Sequence, residues 1–64
     1  MKYLVAFSVI HGGGQFMSRA FIKHSGPVDQ PTIEGWETVC LYDEYARDYG
    51  RVSLRVTGFQ PLAG

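Results

Sequence analysis

The chain has 64 residues, with six basic and six acidic side chains, so its formal net charge is zero. This length predicts a single domain over residues 1–64, near the smallest size that folds without disulfides or metals, and favours a dimer. The lone cysteine, Cys40, excludes an internal disulfide, and the two histidines, His11 and His24, show no zinc-ligand spacing. We therefore expect no metal and no other cofactor. A neutral chain also lacks the long-range attraction needed to bind bulk nucleic acid.

The charges are unevenly distributed along the chain. Residues 1–27 carry three bases and no acid, residues 28–50 carry six acids and one base, and residues 51–64 carry two bases. This distribution permits a local basic surface on a neutral protein. The apolar run over residues 3–10 is too short to span a bilayer or to serve as a signal peptide. We therefore expect a cytosolic protein without membrane contact.

The first half of the chain predicts a β-hairpin. The run from Tyr3 to Ile10 is apolar on both alternating faces, which indicates a central strand. The glycines at 12, 13 and 14 tolerate the positive φ angles of a tight turn. Residues 15–24 then alternate as a second strand. One of its faces carries Phe16, Ser18, Ala20 and Ile22, and the other carries Met17, Arg19, Phe21 and Lys23.

A helix is predicted after a loop that begins at Ser25-Gly26-Pro27 and runs to about Gln30. Pro31 suits the first turn of the helix, and either Gln30 or Thr32 is predicted to stand just ahead of the helix. Gly50 is the predicted C-terminal cap. The stripe expected to meet the sheet comprises Gly35, Val39, Tyr42, Ala46 and Tyr49, while Glu34, Glu37, Glu44 and Asp48 face away. Trp36 lies off this stripe, so it belongs either to an extended core or to a contact site.

The third strand is predicted over residues 51–57. Its apolar positions Val52, Leu54 and Val56 alternate with Ser53, Arg55 and Thr57. Gly58 and Pro61 weaken regular pairing, so residues 58–62 are predicted as an irregular extended tail. A hairpin followed by a helical return places strand three antiparallel beside strand one. The sequence therefore predicts an α+β fold of the ββαβ type, a three-stranded antiparallel sheet of order 2-1-3 with one helix on one face.

One face of such a sheet stays open. Placing the larger side chains in the core puts Tyr3, Val5, Phe7 and Val9 under the helix and leaves Leu4, Ala6, Ser8 and Ile10 on the open side. This apolar centre, with Arg19, Lys23 and Arg55 around it, could contact a protein or a second copy, or hold a planar anionic ligand stacked on Phe21. Apolar patches most often mark protein interfaces, which favours the first use. The candidate binding residues are Arg19, Phe21, Lys23, Arg55 and, as the alternative contact site, Trp36.

Catalytic motifs are not found in the sequence. The glycine run lacks the lysine and serine or threonine of a triphosphate-binding loop and leads into a strand. Neither histidine has a serine, cysteine or carboxylate at an informative spacing, and Ser8 and Ser18 lie outside a nucleophile elbow. We therefore expect a protein that binds and does not catalyse.

The whole pattern resembles a family of small bacteriophage and prophage accessory proteins. The shared features are Lys2-Tyr3 ahead of an aromatic strand with Ser8, a glycine-rich hairpin, a proline-containing connection to an acidic helix, and a closing Phe59-Gln60-Pro61-Leu62. The three consecutive glycines and Arg55 depart from the family pattern. The resemblance implies a viral anti-defence protein in the host bacterial cytoplasm that inhibits a host defence protein by direct contact. Its alternative is an oligomeric sponge for a nucleotide second messenger.

Overall fold

A computed structural model describes residues 1–62. The strands are β1 (Lys2–His11), β2 (Gly14–Lys23) and β3 (Ser53–Pro61), and the helical elements are α1 (Gln30–Gly35), a π-helical segment (Trp36–Cys40) and α2 (Tyr42–Tyr49). The strands form one antiparallel sheet of order β2-β1-β3, with the helical elements packed on one face. The predicted α+β fold and strand order are therefore confirmed.

The centre of the core comes from β1. Val5, Phe7 and Val9 are fully buried, and they pack with the buried side chains of Trp36, in the π-helical segment, and Leu41, between that segment and α2. These strand residues are the ones predicted to lie under the helix, so the choice of face is confirmed. A strand that pairs on both sides has no free edge, which is why the most apolar run in the chain occupies this position.

The hairpin turns at Gly12 and Gly13, because His11 pairs with Gly14 at its end. Gly14 has a φ of 145°, a backbone conformation that residues with a Cβ atom rarely adopt. The N–H of Gly13 donates a hydrogen bond of 3.0 Å to Nδ1 of His11. The predicted glycine hairpin is confirmed.

The first helix begins one residue earlier than predicted. Its N-cap is Asp29, and not Gln30 or Thr32. Oδ1 of Asp29 accepts hydrogen bonds from the N–H of Thr32 (3.1 Å) and from its hydroxyl (2.6 Å), which satisfies a backbone donor that the helix leaves free. At the other end, Gly50 has a φ of 78° and its N–H bonds to the carbonyl of Ala46 at 2.9 Å. The prediction that Gly50 ends the helix is confirmed.

The predicted stripe of helix residues facing the sheet is confirmed at Tyr42 and Ala46, which pack against the core, and wrong at Val39, because the middle of the helix is π-helical. The N–H of Leu41 donates to the carbonyl of Trp36 at 3.0 Å, five residues back. In a regular α-helix these two residues would lie about 140° apart around the axis, yet both are buried against the sheet. Val39, predicted to meet the sheet, is instead 62% exposed.

Glu37 was predicted to face away, but it reaches the outer edge of β3. Its Oε2 accepts a hydrogen bond of 2.7 Å from the N–H of Val56. Val56 lies on an edge strand, and its N–H points away from β1 toward the helical layer. The carboxylate therefore satisfies a donor that the sheet itself does not pair.

The third strand is longer than predicted. It starts at Ser53, two residues after Arg51, and pairs with β1 as far as Pro61, which lies opposite Tyr3. The predicted irregular tail over residues 58–62 is therefore wrong for most of its length. The irregularity is confined to a bulge, where the register shifts between the pairs Ala6–Gly58 and Phe7–Val56.

Candidate functional site

The sheet face turned away from the helical elements, here called the open face, is the candidate site. Because β1 alternates and its odd-numbered residues 5, 7 and 9 are buried under the helical elements, its even-numbered residues and their cross-strand partners point the other way. The open face therefore comprises Lys2, Leu4, Ala6, Ser8 and Ile10 of β1, Gln15, Met17, Arg19, Phe21 and Lys23 of β2, and Ser53, Arg55, Gly58 and Gln60 of β3.

The two arginines lie on opposite sides of β1. Arg19 pairs with Ala6 on one side, and Arg55 pairs with Ser8 on the other, so the arginines are offset by one step along the strand direction. Two strand spacings separate β2 from β3, which puts their backbones about 10 Å apart. Both guanidinium groups can therefore reach a single partner surface placed over β1.

Exposed apolar side chains lie beside these arginines. Phe21 is 66% exposed, Met17 is 61% exposed, and Ile10 is 46% exposed. Ser8, between Met17 and Arg55, is buried although it lies on the face without a helix. The open face is thus solvent-exposed and partly apolar, and Ser8 at its centre is covered by the neighbouring side chains.

Small residues create a groove on this face. Ala6 and Gly58 pair across β1 and β3 at the bulge, so little side-chain volume fills the space above them. The resulting depression, of about 430 Å³, is lined by Leu4, Ala6, Arg19, Gly58, Phe59 and Gln60. The groove runs beside Arg19 and is suited to receiving a protruding side chain of a partner.

Trp36 is not part of the open face. Its side chain is 4% exposed and lies on the helical side of the sheet. Its ring packs against those of Tyr3 (6.1 Å between centroids), Phe59 (6.0 Å) and His24 (6.0 Å). Of the two alternatives for Trp36, the extended core is therefore the one that the packing supports. The other four predicted residues share one face.

Lys2 is a candidate that the sequence interpretation missed. It lies directly opposite Lys23, and its Nζ is 5.4 Å from the centre of the Phe21 ring. The signal was present in the sequence, because a hairpin turning at Gly12 and Gly13 fixes every pair along β1 and β2. Counting back from the turn would have paired these two lysines.

Charge is divided between the two layers of the molecule. The open face carries four bases, Lys2, Arg19, Lys23 and Arg55, and no acid among its described residues. All six acids lie between residues 29 and 48, in the loop and helical elements. One of them, Asp29, has a lowered pKa because its carboxylate accepts hydrogen bonds from the side chain and backbone of Thr32. The neutral chain is therefore strongly polarised.

Residues 1–62 offer neither a metal site nor a membrane-spanning helix. No group of three or more His, Cys, Asp or Glu side chains in this range is arranged to hold a metal ion. In the same residues, no helix is long and apolar enough to cross a membrane. Comparisons with protein-family models, with curated proteins and with solved structures find no match.

Proposed function

We propose that this chain is a non-catalytic accessory protein that binds an acidic surface of another protein through its open face. The observation that carries the proposal is the combination of exposed Phe21 and Met17 with four bases on a face that has no acid among its described residues. Apolar area supplies the attraction on burial, and the bases select the partner.

The chemistry of the arginines supports a carboxylate-rich partner. A guanidinium group presents a planar fork of donors that matches a carboxylate with two parallel hydrogen bonds. Arg19 borders the groove over Ala6 and Gly58, so an apolar side chain could enter the groove while a neighbouring carboxylate pairs with the arginine. Buried aromatic and arginine side chains of this type dominate the energy of most interfaces.

A second copy is a poorer occupant of this face. Pairing two open faces across a two-fold axis would bring four bases against four bases, and like charges across an interface cost free energy. The basic face complements the acidic helical layer, but that contact would be head-to-tail and would not close into a dimer. The open face is therefore better suited to a different protein.

The resemblance to phage accessory proteins suggests the class of partner. It would be a host defence protein, inhibited by contact in the bacterial cytoplasm. Inhibition by steric blocking requires only that the partner presents an acidic surface at or near its own active region. No reacting group on this chain is needed for such a role.

The experiment is a phage-protection assay in bacteria that carry a defence system and express this chain. The wild-type chain is compared with Arg19→Ala/Arg55→Ala, and Glu44→Gln serves as the control because it changes charge on the helical layer instead. We expect the double variant to lose anti-defence activity and to stop capturing the defence protein from the lysate, while the control keeps both. Circular dichroism verifies that each variant is folded.

Equal activity of the wild type and the double variant would overturn the proposal. The same conclusion would follow if Glu44→Gln abolished activity while the double variant kept it. A partner captured equally by all three proteins would show that contact occurs elsewhere on the surface.

Self-association, expected from the small chain, would use the free edge of β2. Met1 and His24 exchange two backbone hydrogen bonds, so the alternating pattern turns the backbone groups of Met17, Arg19 and Phe21 outward. Pairing two β2 edges would satisfy these groups and extend the sheet to six strands. Light scattering at micromolar concentration should give twice the 7.2 kDa chain mass. Met17→Pro, which removes an outward N–H and no hydrogen bond to β1, should give the monomer mass.

A further inference from the structure

We infer that the Lys2 end of the open face is a binding site for a phosphate monoester. An open depression of about 680 Å³ lies at this end of the sheet, lined by Met1, Lys2, Lys23, His24 and Ser25. Its volume is in the range of small-molecule sites. The inference shares Lys2 and Lys23 with the open face of the proposed protein contact but uses neither arginine, so variants of the arginines test the two proposals separately.

The backbone holds the two lysines at the closest approach that a sheet allows. The N–H of His24 donates to the carbonyl of Met1 at 2.9 Å, and the amino group of Met1 donates to the carbonyl of His24 at 3.0 Å. Met1 and His24 are thus a hydrogen-bonded pair, and the adjacent pair, Lys2 and Lys23, is of the other type. In such pairs the Cα atoms are about 4.5 Å apart and the side chains are closer together.

The position of Lys2 is fixed further by Phe21. The Lys2 ammonium lies over the ring at 5.4 Å from its centre, an arrangement in which the ring face attracts the cation. Phe21 and Lys23 are two residues apart on β2 and project to the same side. The Lys2 ammonium is therefore held at a place that the flexible side chain of Lys23 can also reach.

Among residues 1–62, these like charges have no acidic side chain on their own face. Asp29 interacts electrostatically with the neighbouring His24, but its Oδ1 is engaged by the N–H and hydroxyl of Thr32. Like charges directly opposite each other in a sheet are destabilising. An anion bound between Lys2 and Lys23 would replace this repulsion with two attractions.

A phosphate monoester is the anion whose charge fits best. Its charge at neutral pH is about −1.5 to −2, against −1 for a carboxylate, so it can neutralise both ammonium groups. Lysine binds phosphate as a compact charge and does not need a planar partner. Ser25 is exposed and lines the same depression, so its hydroxyl is available as a donor to a third oxygen.

The test is an NMR titration of the full ¹⁵N-labelled chain at pH 7.5 with sodium phosphate, and with sodium chloride at matched ionic strength. We expect phosphate, and not chloride, to shift the amide signals of Lys2, Lys23 and Ser25 saturably. Lys2→Gln and Lys23→Gln should each weaken phosphate binding roughly tenfold, the loss of one charge-assisted contact. Arg47→Gln, on α2, is the matched control and should bind as the wild type does.

Two further measurements identify the source of the phosphate group and verify that the variants are folded. Glycerol 3-phosphate and AMP are titrated in parallel; equal affinity identifies the phosphate alone as the recognised group, and tighter AMP binding identifies a nucleotide. Without phosphate at low salt, Lys23→Gln should melt at a higher temperature than the wild type, because it removes the repulsion and keeps the contact between Lys2 and Phe21. Arg19→Ala/Arg55→Ala should keep phosphate binding, which separates this site from the protein contact.

The inference is overturned if phosphate produces no saturable shifts, or if chloride produces the same ones. It is also overturned if both lysine variants bind phosphate as tightly as the wild type while remaining folded.

Discussion

The two faces of the sheet use the same kinds of residue for opposite purposes. Phe7 and Phe21 both lie on strands of the sheet, yet Phe7 is fully buried and Phe21 is 66% exposed. Phe7 packs edge-on against Tyr45 at 5.6 Å under the helical layer, whereas Phe21 faces solvent with Lys2 above its ring. One face is a core because a helical layer covers it. The open face keeps exposed apolar side chains although no helical layer covers it, and such exposed apolar patches mark binding surfaces.

The largest expected effect separates the two faces by a matched pair of variants. Phe7→Ala removes a fully buried ring and should lower the free energy of unfolding by about 3–5 kcal/mol, enough to unfold a domain this small. Phe21→Ala removes the same atoms from the open face and should change it by about 0.5 kcal/mol or less. Urea unfolding followed by circular dichroism measures both. Similar losses for the two variants would contradict the assignment of the faces.

A second pair tests which helix residues reach the covered face. Leu41→Ala should cost about 2–5 kcal/mol of unfolding free energy, since Leu41 is buried in the core cluster. Val39→Ala should cost about 0.5 kcal/mol or less, because Val39 is largely exposed. If Val39→Ala were the more damaging change, the helix would be a regular α-helix with the stripe that the sequence predicts.

A third pair examines the border between the layers, at the edge of β3. Glu37→Ala removes the carboxylate that accepts the N–H of Val56 and should cost about 1–2 kcal/mol. Glu34→Ala is the control, since Glu34 is exposed on the same helical layer. Chemical denaturation of both variants gives the comparison. A loss of the same size for Glu34→Ala would assign the effect to overall charge.

The smallest effect is the pH dependence of the helix cap. Because hydrogen bonds from Thr32 lower the pKa of Asp29 in the folded state, the stabilising contribution of this carboxylate is present above its ordinary pKa of 3.8 and disappears as the pH falls through the folded pKa. Asp29→Asn keeps a capping oxygen but removes the titration. Thermal melts between pH 2 and pH 6 should show a weaker acid dependence for this variant. Identical pH profiles would mean that the carboxylate does not contribute.

The strands and the open face could be predicted from the sequence because their periods are local properties of the backbone. Side chains alternate strictly along an extended chain, so the pattern around Phe7 and around Leu54 places each residue on a face without reference to the rest of the molecule. The glycine turn then sets the partner of every residue on β1 and β2. This reasoning brought Arg19, Phe21, Lys23 and Arg55 to one face.

The helix register and the length of β3 were decided only by the tertiary structure, whereas the helix start depends on a local contact between Asp29 and Thr32. The π-helical segment gives up regular i→i−4 hydrogen bonds, and the compensation is that Trp36 and Leu41 are buried at once against β1. That gain depends on contacts between residues far apart in the chain, which no local period reveals. For the same reason Glu37 turns toward Val56, which is distant in sequence and adjacent only once the sheet has formed.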